Sequence, residues 1–180
     1  MMHFGGAPLG LLAGTAFTLL LASACAFDLR VRRIPNRLVA TLAGAGVLYV
    51  FATLPATTAV LHVLGGGAIG LLLWLPFWWL GVLGAGDVKL AAAAGVWLGS
   101  AGVVEATLIG AAVGGVLAVW ALARQGGFAA GMARFGAWMI TSRATGAIAP
   151  ELTPRERRIP YGLAIAAGAV AAAWVPGLIW

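Results

Sequence analysis

The 180-residue chain is too apolar for a water-soluble domain, because 62% of it is hydrophobic and only 9% is charged, whereas soluble domains average about 25% charged residues. Its net charge of +6 fits membrane-protein loops better than a nucleic-acid partner, so no nucleic acid is expected. The single cysteine, Cys25, excludes an internal disulfide and a zinc site of paired CxxC motifs. No metal or other cofactor is predicted.

Six apolar runs separated by proline, glycine and charged residues predict an all-α, polytopic membrane bundle of about six transmembrane helices. The predicted spans are residues 7–27, 38–54, 60–83, 88–98, 103–123 and 159–179. A long polar connection, residues 124–158, precedes the last span. The whole chain, 1–180, is predicted to be a single membrane-embedded domain in contact with lipid.

The basic residues predict the orientation of these helices. Ten of the 11 lysines and arginines fall in the connections 28–37 and 124–158, and Lys89 lies at the start of the fourth span. Because two spans separate each of these places from the next, all 11 are expected on one side of the membrane. Because basic loops are typical of the cytoplasmic side, that side is predicted to be cytoplasmic. The N- and C-termini are then predicted to lie outside.

The two aspartates of the chain, Asp28 and Asp87, each lie where an apolar run meets the predicted cytoplasmic face. Asp28 ends the first span and Asp87 opens the fourth, so both carboxyl groups are expected at the same membrane depth. Two acids in a partly desolvated site tend to share one proton. The ionised acid can then activate a water molecule while its protonated partner supports the developing oxyanion, as in an aspartic protease.

Other interpretations of these two residues stay open at this point. Asp28 can simply balance neighbouring arginines, and Asp87 can cap a helix whose free amide groups favour a carboxylate. Paired acids also serve proton- or ion-coupled transporters, although relay acids normally lie near mid-membrane and no inverted repeat is evident between the halves of this sequence. An inactive membrane assembly factor is a third interpretation.

Three short motifs carry a resemblance to a known family. Gly84-Ala85-Gly86-Asp87 matches the GxGD pattern of intramembrane aspartyl proteases, and the sequence that follows, to Gly99, is similar to the corresponding prepilin peptidase segment. Asp28 is followed, at that family's spacing, by the Ile34-Pro35-Asn36 turn. Ile159-Pro160-Tyr161-Gly162 is similar to a third family element near the start of the last helix. The chain therefore resembles the prepilin peptidases, or type IV leader peptidases.

The resemblance implies catalysis by Asp28 and Asp87 on the leader of a type IV prepilin-like precursor, a pilin or pseudopilin, at the cytoplasmic face of a prokaryotic plasma membrane. The chain lacks the cysteine-containing segment that larger members use in methylation, so methyltransferase activity is not expected. It looks like the short, protease-only branch that serves tight-adherence (Flp-type) pili or, in archaea, flagellin-like subunits. The residues expected to shape the site are Gly84, Gly86, Pro35, Asn36, Lys89, Pro160, Tyr161 and Gly162.

Several of these residues also have simpler interpretations. Lys89 could hold Asp87 in its ionised form, but lysines at cytoplasmic helix ends are commonly topological anchors. Tyr161 could border the site or be an ordinary interfacial tyrosine. The histidines, His3 and His62, are expected on the outer side, away from the aspartates. Glu105 is expected near the outer end of the fifth span and is assigned no chemistry.

Overall fold

A computed structural model of the chain describes residues 8–31, 33–79, 83–124, 136 and 161–175. These residues form α1 (Pro8–Val31), α2 (Asn36–Thr53), α3 (Ala56–Trp79), α4 (Ala85–Arg124) and α5 (Tyr161–Trp174). No strand occurs within the described ranges, and the predicted all-α class is confirmed.

Four of the described helices are long and apolar enough to cross a membrane. They are α1, α2, α3 and the Ala85–Leu117 part of α4, while α5 is a shorter apolar helix. A chain with four such helices is a membrane protein. The count of six spans and the position of the termini stay predictions.

The chain divides into two compact units, Met1–Val113 with Pro160–Trp180, and Gly114–Ile159. The first unit contains α1, α2, α3, α5 and the part of α4 that precedes Gly114. In the second unit the structure describes the end of α4 and Gly136. Apart from those residues, the predicted cytoplasmic connection 124–158 lies outside the described residues.

A proline separates α2 from α3. Leu54 follows α2 with φ −118° and ψ 152°, the extended conformation that the steric bulk of a following proline favours. Pro55 comes next, and α3 begins at Ala56. The chain therefore turns at the proline where the sequence predicts the second span to stop.

The helix α4 bends back on itself at Gly99. Gly99 has φ 70° and ψ −177°, a conformation that glycine adopts without steric cost. A Cβ on Gly95 would lie 3.2 Å from Val103 Cγ2, although eight residues of straight helix span about 12 Å. Within the first unit, α4 therefore consists of a first arm, residues 85–98, and a second arm, residues 100–113, which fold back on each other.

This turn is tighter than the sequence predicts. The prediction places helices at 88–98 and 103–123 with a turn at 99–102. In the structure the second arm resumes directly after Gly99. His62 from α3 stabilises the turn, because its Nε2 lies 3.2 Å from the carbonyl oxygen of Trp97. A carbonyl only accepts hydrogen bonds, so this contact requires the proton on Nε2.

Trp97, in the first arm, joins several helices in the core. Its indole N–H donates to the carbonyl of Leu42 on α2 at 2.7 Å. Its ring stacks on Tyr49 with centroids 5.6 Å apart and meets Phe17 of α1 at 5.2 Å. Buried aromatic pairs of this kind add about 1 kcal/mol each to area burial. The first arm is therefore held firmly against α1 and α2.

Glycines bring α3 and the first arm into backbone contact. A Cβ on Gly66 would overlap the Gly95 carbonyl, and a Cβ on Gly95 would overlap that of Gly66. One turn further, a Cβ on Gly70 would lie 2.6 Å from the Ala91 carbonyl oxygen. In lipid the hydrophobic effect does not drive helices together, so their association depends on close packing. Small residues permit that packing.

The change Gly95→Ala is expected to destabilise the fold by about 3 kcal/mol, because its methyl group meets backbone that cannot move aside as a side chain can. Thermal unfolding in detergent, followed by circular dichroism, measures the loss. Gly44→Ala is the matched control, since a Cβ on Gly44 has nothing within 4 Å. Equal melting temperatures for both variants would contradict the proposed backbone contact.

The helix α5 packs antiparallel to α1. Near one end the Trp174 indole N–H donates to Thr18 Oγ1 at 3.1 Å. Near the other end the Cys25 thiol donates to the carbonyl of Gly162 at 3.5 Å. The α5 residues are mostly small, and one face also meets the second arm, where a Cβ on Gly110 would lie 3.0 Å from the Ala164 carbonyl oxygen. This packing brings the start of α5 to the end of α1.

Candidate active site

Two of the three motif segments, which are separated by about fifty residues in sequence, touch each other. Ile34 packs on Gly86, whose Cβ position is 3.4 Å from the Ile34 Cβ. The Lys89 ammonium donates to Asn36 Oδ1 at 3.2 Å. The turn that follows Asp28 is therefore fixed against the first turn of α4.

Asp28 lies one turn before the end of α1 and is half-buried. Its carboxyl group contacts the third motif segment, because a Cβ on Gly162 would lie 2.9 Å from Oδ2 and 3.3 Å from Cγ. Gly162 is buried between this carboxyl group and the Cys25 thiol. Only a glycine therefore leaves the Asp28 carboxyl group in its present position.

Asp87 lies in the first turn of α4 and is also half-buried. Its Oδ2 accepts the backbone N–H of Gly84 at 3.0 Å, and its own N–H donates to the Gly84 carbonyl at 3.1 Å. This is the capping contact that one interpretation of the sequence expects. A carboxylate has about four acceptor sites, so capping and a second role are compatible. The cap also fixes the carboxyl group relative to the backbone.

The start of α5 lies at Asp28. Gly162 contacts the Asp28 carboxyl group, and the preceding residue, Tyr161, is half-buried. The turn that follows Asp28 places Ile34 on Gly86, next to Asp87. The three motif segments therefore meet at one end of the bundle, although about 130 residues separate the first from the third. Such an arrangement places two carboxyl groups in a partly desolvated setting.

The remaining predicted residues occupy the turns of this site. Pro35 precedes α2 with φ −63° and ψ 132°, and its carbonyl accepts the N–H groups of Leu38 and Val39. Asn36 is the first residue of α2. Gly84 immediately precedes α4, and a Cβ on Gly84 would lie 3.3 Å from Asp87 Oδ2. Pro160 lies outside the described residues.

Two residues of this end of the bundle were given no role in the site by the sequence analysis, although Ile34 is part of one of the motifs. Cys25 lies one turn before Asp28 and, through Gly162, fixes the start of α5. Ile34 packs on Gly86 within the GxGD motif. The spacing of three residues between Cys25 and Asp28 could have indicated a shared helix face, whereas the partner of Ile34 depends on the fold.

The other titratable residues singled out in the sequence lie elsewhere. His62 contacts the turn at Gly99, twelve residues and about 18 Å of helix from Asp87. Glu105, in the second arm, is 0% exposed, a degree of burial that the sequence did not indicate. His3 lies outside the described residues. Within the described part of the chain, no cluster of three His, Cys, Asp or Glu side chains could hold a metal ion.

The structure defines the chain as a helical membrane protein with two half-buried acids at one end of its bundle. Comparison with known families identifies it further. A model of the type IV leader peptidase family matches residues 15–119, more than half of the chain. The chain belongs to the type IV leader peptidase family, and it is therefore a peptidase with a protein substrate.

The matched region contains both aspartates, with the Ile34-Pro35-Asn36 turn and the GxGD motif, and ends before α5. Searches of curated proteins and of solved structures each gave no match.

Proposed function

We propose that this protein is an aspartic endopeptidase that removes the leader peptide of type IV prepilin-like precursors, with Asp28 and Asp87 as its catalytic pair. The observation that carries the proposal is the packing of the three motif segments at one end of the bundle, where Gly162 contacts Asp28 and Ile34 packs on Gly86, next to Asp87. The family match over both aspartates supports the same assignment.

In this mechanism one carboxyl group is ionised and the other protonated. The ionised group accepts a proton from a water molecule, which attacks the carbonyl carbon of the scissile peptide bond. The protonated group donates a hydrogen bond to the developing oxyanion, and a proton then passes to the leaving nitrogen. The Gly84 N–H bond to Asp87 Oδ2 stabilises the ionised form of that residue. Asp87 is therefore proposed as the base and Asp28 as the acid.

The proposed site faces the cytoplasm of a prokaryotic plasma membrane. Ten of the 11 basic residues lie in the predicted connections 28–37 and 124–158, and Lys89 lies at the start of the fourth span, so all 11 are at the aspartate end of the spans, as the positive-inside tendency requires. The cut then falls on the cytoplasmic side of the precursor's hydrophobic segment. Gly84 has no side chain beside the Asp87 carboxyl group, so an extended peptide can approach the backbone there, whereas Gly86 is covered by Ile34.

The transporter interpretation has no support. The family that matches the chain is a peptidase family, and the contacts of Asp28 and Asp87 are at helix ends rather than at the middle of α1 or α4. A relay acid is expected near mid-membrane.

The experiment is a cleavage assay with the purified chain in liposomes and a prepilin-like precursor from the same genome. We expect release of the leader, with a single new N-terminus next to the hydrophobic segment, identified by mass spectrometry. Because two carboxyl groups suffice for the proposed chemistry, EDTA should leave the rate unchanged. Absence of cleavage by correctly inserted protein, or inhibition by EDTA that added divalent metal reverses, would contradict the proposal.

A further inference from the structure

A groove of about 430 Å³ lies between α2, α3 and the first arm of α4. Its lining contains one charged side chain, Lys89, and one amide, Asn36. The other lining residues are apolar and mostly small, among them Ala40, Gly67 and Ala92. An occupant of the groove must therefore be apolar over most of its length.

The groove follows the helix axes away from a polar mouth. Asn36 and Lys89, which are bonded to each other, lie in the first turns of α2 and α4. Ala43 and Val96, which also line the groove, come seven residues later, about 10 Å further along the same helices. The groove therefore runs from the helix ends towards the middle of the apolar spans and accommodates about two helical turns.

The mouth of the groove lies next to the candidate active site. Lys89 is two residues after Asp87, and Asn36 follows Ile34, which packs on Gly86. A separation of two residues corresponds to about 200° around a helix, so Lys89, which lines the groove, and Asp87 are on different faces of α4. An extended peptide covers about 3.3 Å per residue, and three or four residues can therefore cross the roughly 10 Å width of the helix.

We propose that this groove binds the hydrophobic segment of the precursor as a helix, beginning three or four residues after the cleaved bond. This inference rests on the proposed function. A peptide that leaves Asp87 across the start of α4 meets the mouth first, where Lys89 and the Asn36 amide offer N–H donors to its unpaired carbonyl groups. Beyond the mouth, small side chains such as Ala40 and Ala92 let the backbone of an incoming helix approach closely.

A helix fits these features better than a phospholipid does. An acyl chain has no backbone that profits from close approach to small residues, and its position is not tied to the catalytic acids. The peptide is covalently continuous with the bond at Asp87, which raises its effective concentration at the groove. The hydrophobic segment of the precursor is therefore the occupant to which we commit.

Photocrosslinking tests the occupant directly. Ala40 is exposed and lines the groove, so the crosslinking residue is introduced as Ala40→p-benzoylphenylalanine. The same chain carries Asp87→Asn, so that the precursor stays uncut. This double variant is coexpressed with a tagged precursor. We expect adducts within the first two turns of the precursor's hydrophobic segment. The matched control is Ala52→p-benzoylphenylalanine, exposed on α2 but outside the groove, with no adduct expected. Adducts with phospholipid alone, with the leader, or equally from position 52 would overturn the proposal.

A kinetic test separates this inference from the proposed function. The cleavage rate of the full precursor is divided by that of a peptide that lacks the hydrophobic segment. Ala40→Leu fills part of the groove and should lower this ratio about tenfold, while Ala52→Leu should leave it unchanged. An unchanged ratio for Ala40→Leu would overturn the groove alone. Failure of the wild-type chain to cleave either substrate would instead overturn the proposed function.

Discussion

Either Asp28→Asn or Asp87→Asn is expected to reduce precursor cleavage by about 10³-fold or more while the protein still inserts and folds. An amide can neither accept the proton of the attacking water nor supply a proton to the leaving nitrogen, and loss of such proton transfers costs about 10² to 10⁴ in rate. Asparagine keeps the shape of the side chain, so the packing against Gly162 and the cap at Gly84 should change little. The measurement is the initial rate of leader release in liposomes.

The control for these variants is Glu151→Gln, which removes a carboxylate that is in none of the three motif segments. Its cleavage rate should equal that of the wild type. The double variant Asp28→Asn with Asp87→Asn should be no slower than either single variant, because groups that act as a unit are not additive. Retained cleavage in either single variant would remove the catalytic pair from the account.

Gly162→Ala is expected to lower the turnover number about 10- to 100-fold without lowering stability. The new Cβ would lie 2.9 Å from Asp28 Oδ2 and 3.3 Å from Cγ, so the carboxyl group must shift or rotate. Catalysis is sensitive to displacements of about 1 Å. In contrast, alanine is favoured over glycine within a helix by about 1 kcal/mol, so the melting temperature should stay the same or rise.

This opposite response of activity and stability distinguishes displacement of a catalytic group from general damage. Gly44→Ala, at a helical glycine with nothing within 4 Å of its Cβ position, should change neither the turnover number nor precursor binding. Full activity of Gly162→Ala would contradict the assigned position of Asp28. Loss of activity that parallels loss of folded protein would point to packing instead.

The helical class could be predicted from the sequence because apolar runs of sufficient length permit little else in a membrane. The proline after Leu54 and the glycine at position 99 also mark chain turns through their own backbone restrictions. The tightness of the second turn could not be predicted. It depends on His62 from α3, which bonds the Trp97 carbonyl.

The residues of the candidate site were recognisable by type, but their contacts were not. The motif order indicated Asp28 and Asp87, whereas the contact of Gly162 with Asp28 arises from the antiparallel packing of α5 on α1. The partner of Lys89 was also not predictable, because Asn36 reaches it only when α2 and α4 begin side by side. These contacts depend on packing between residues that are far apart in sequence, and the local sequence does not reveal which residues pack together.

The closeness of Asp28 and Asp87 is the central claim, and thiol crosslinking measures it most directly. In a Cys25→Ala background, Asp28→Cys and Asp87→Cys are combined and treated with a short bifunctional thiol reagent in membranes. The control combines Asp28→Cys with Ser100→Cys, which is exposed just beyond the first arm, about 20 Å of helix from position 87. We predict linked peptides from 28 and 87 and none from 28 and 100. No link between 28 and 87, or equal links in both pairs, would contradict a shared site.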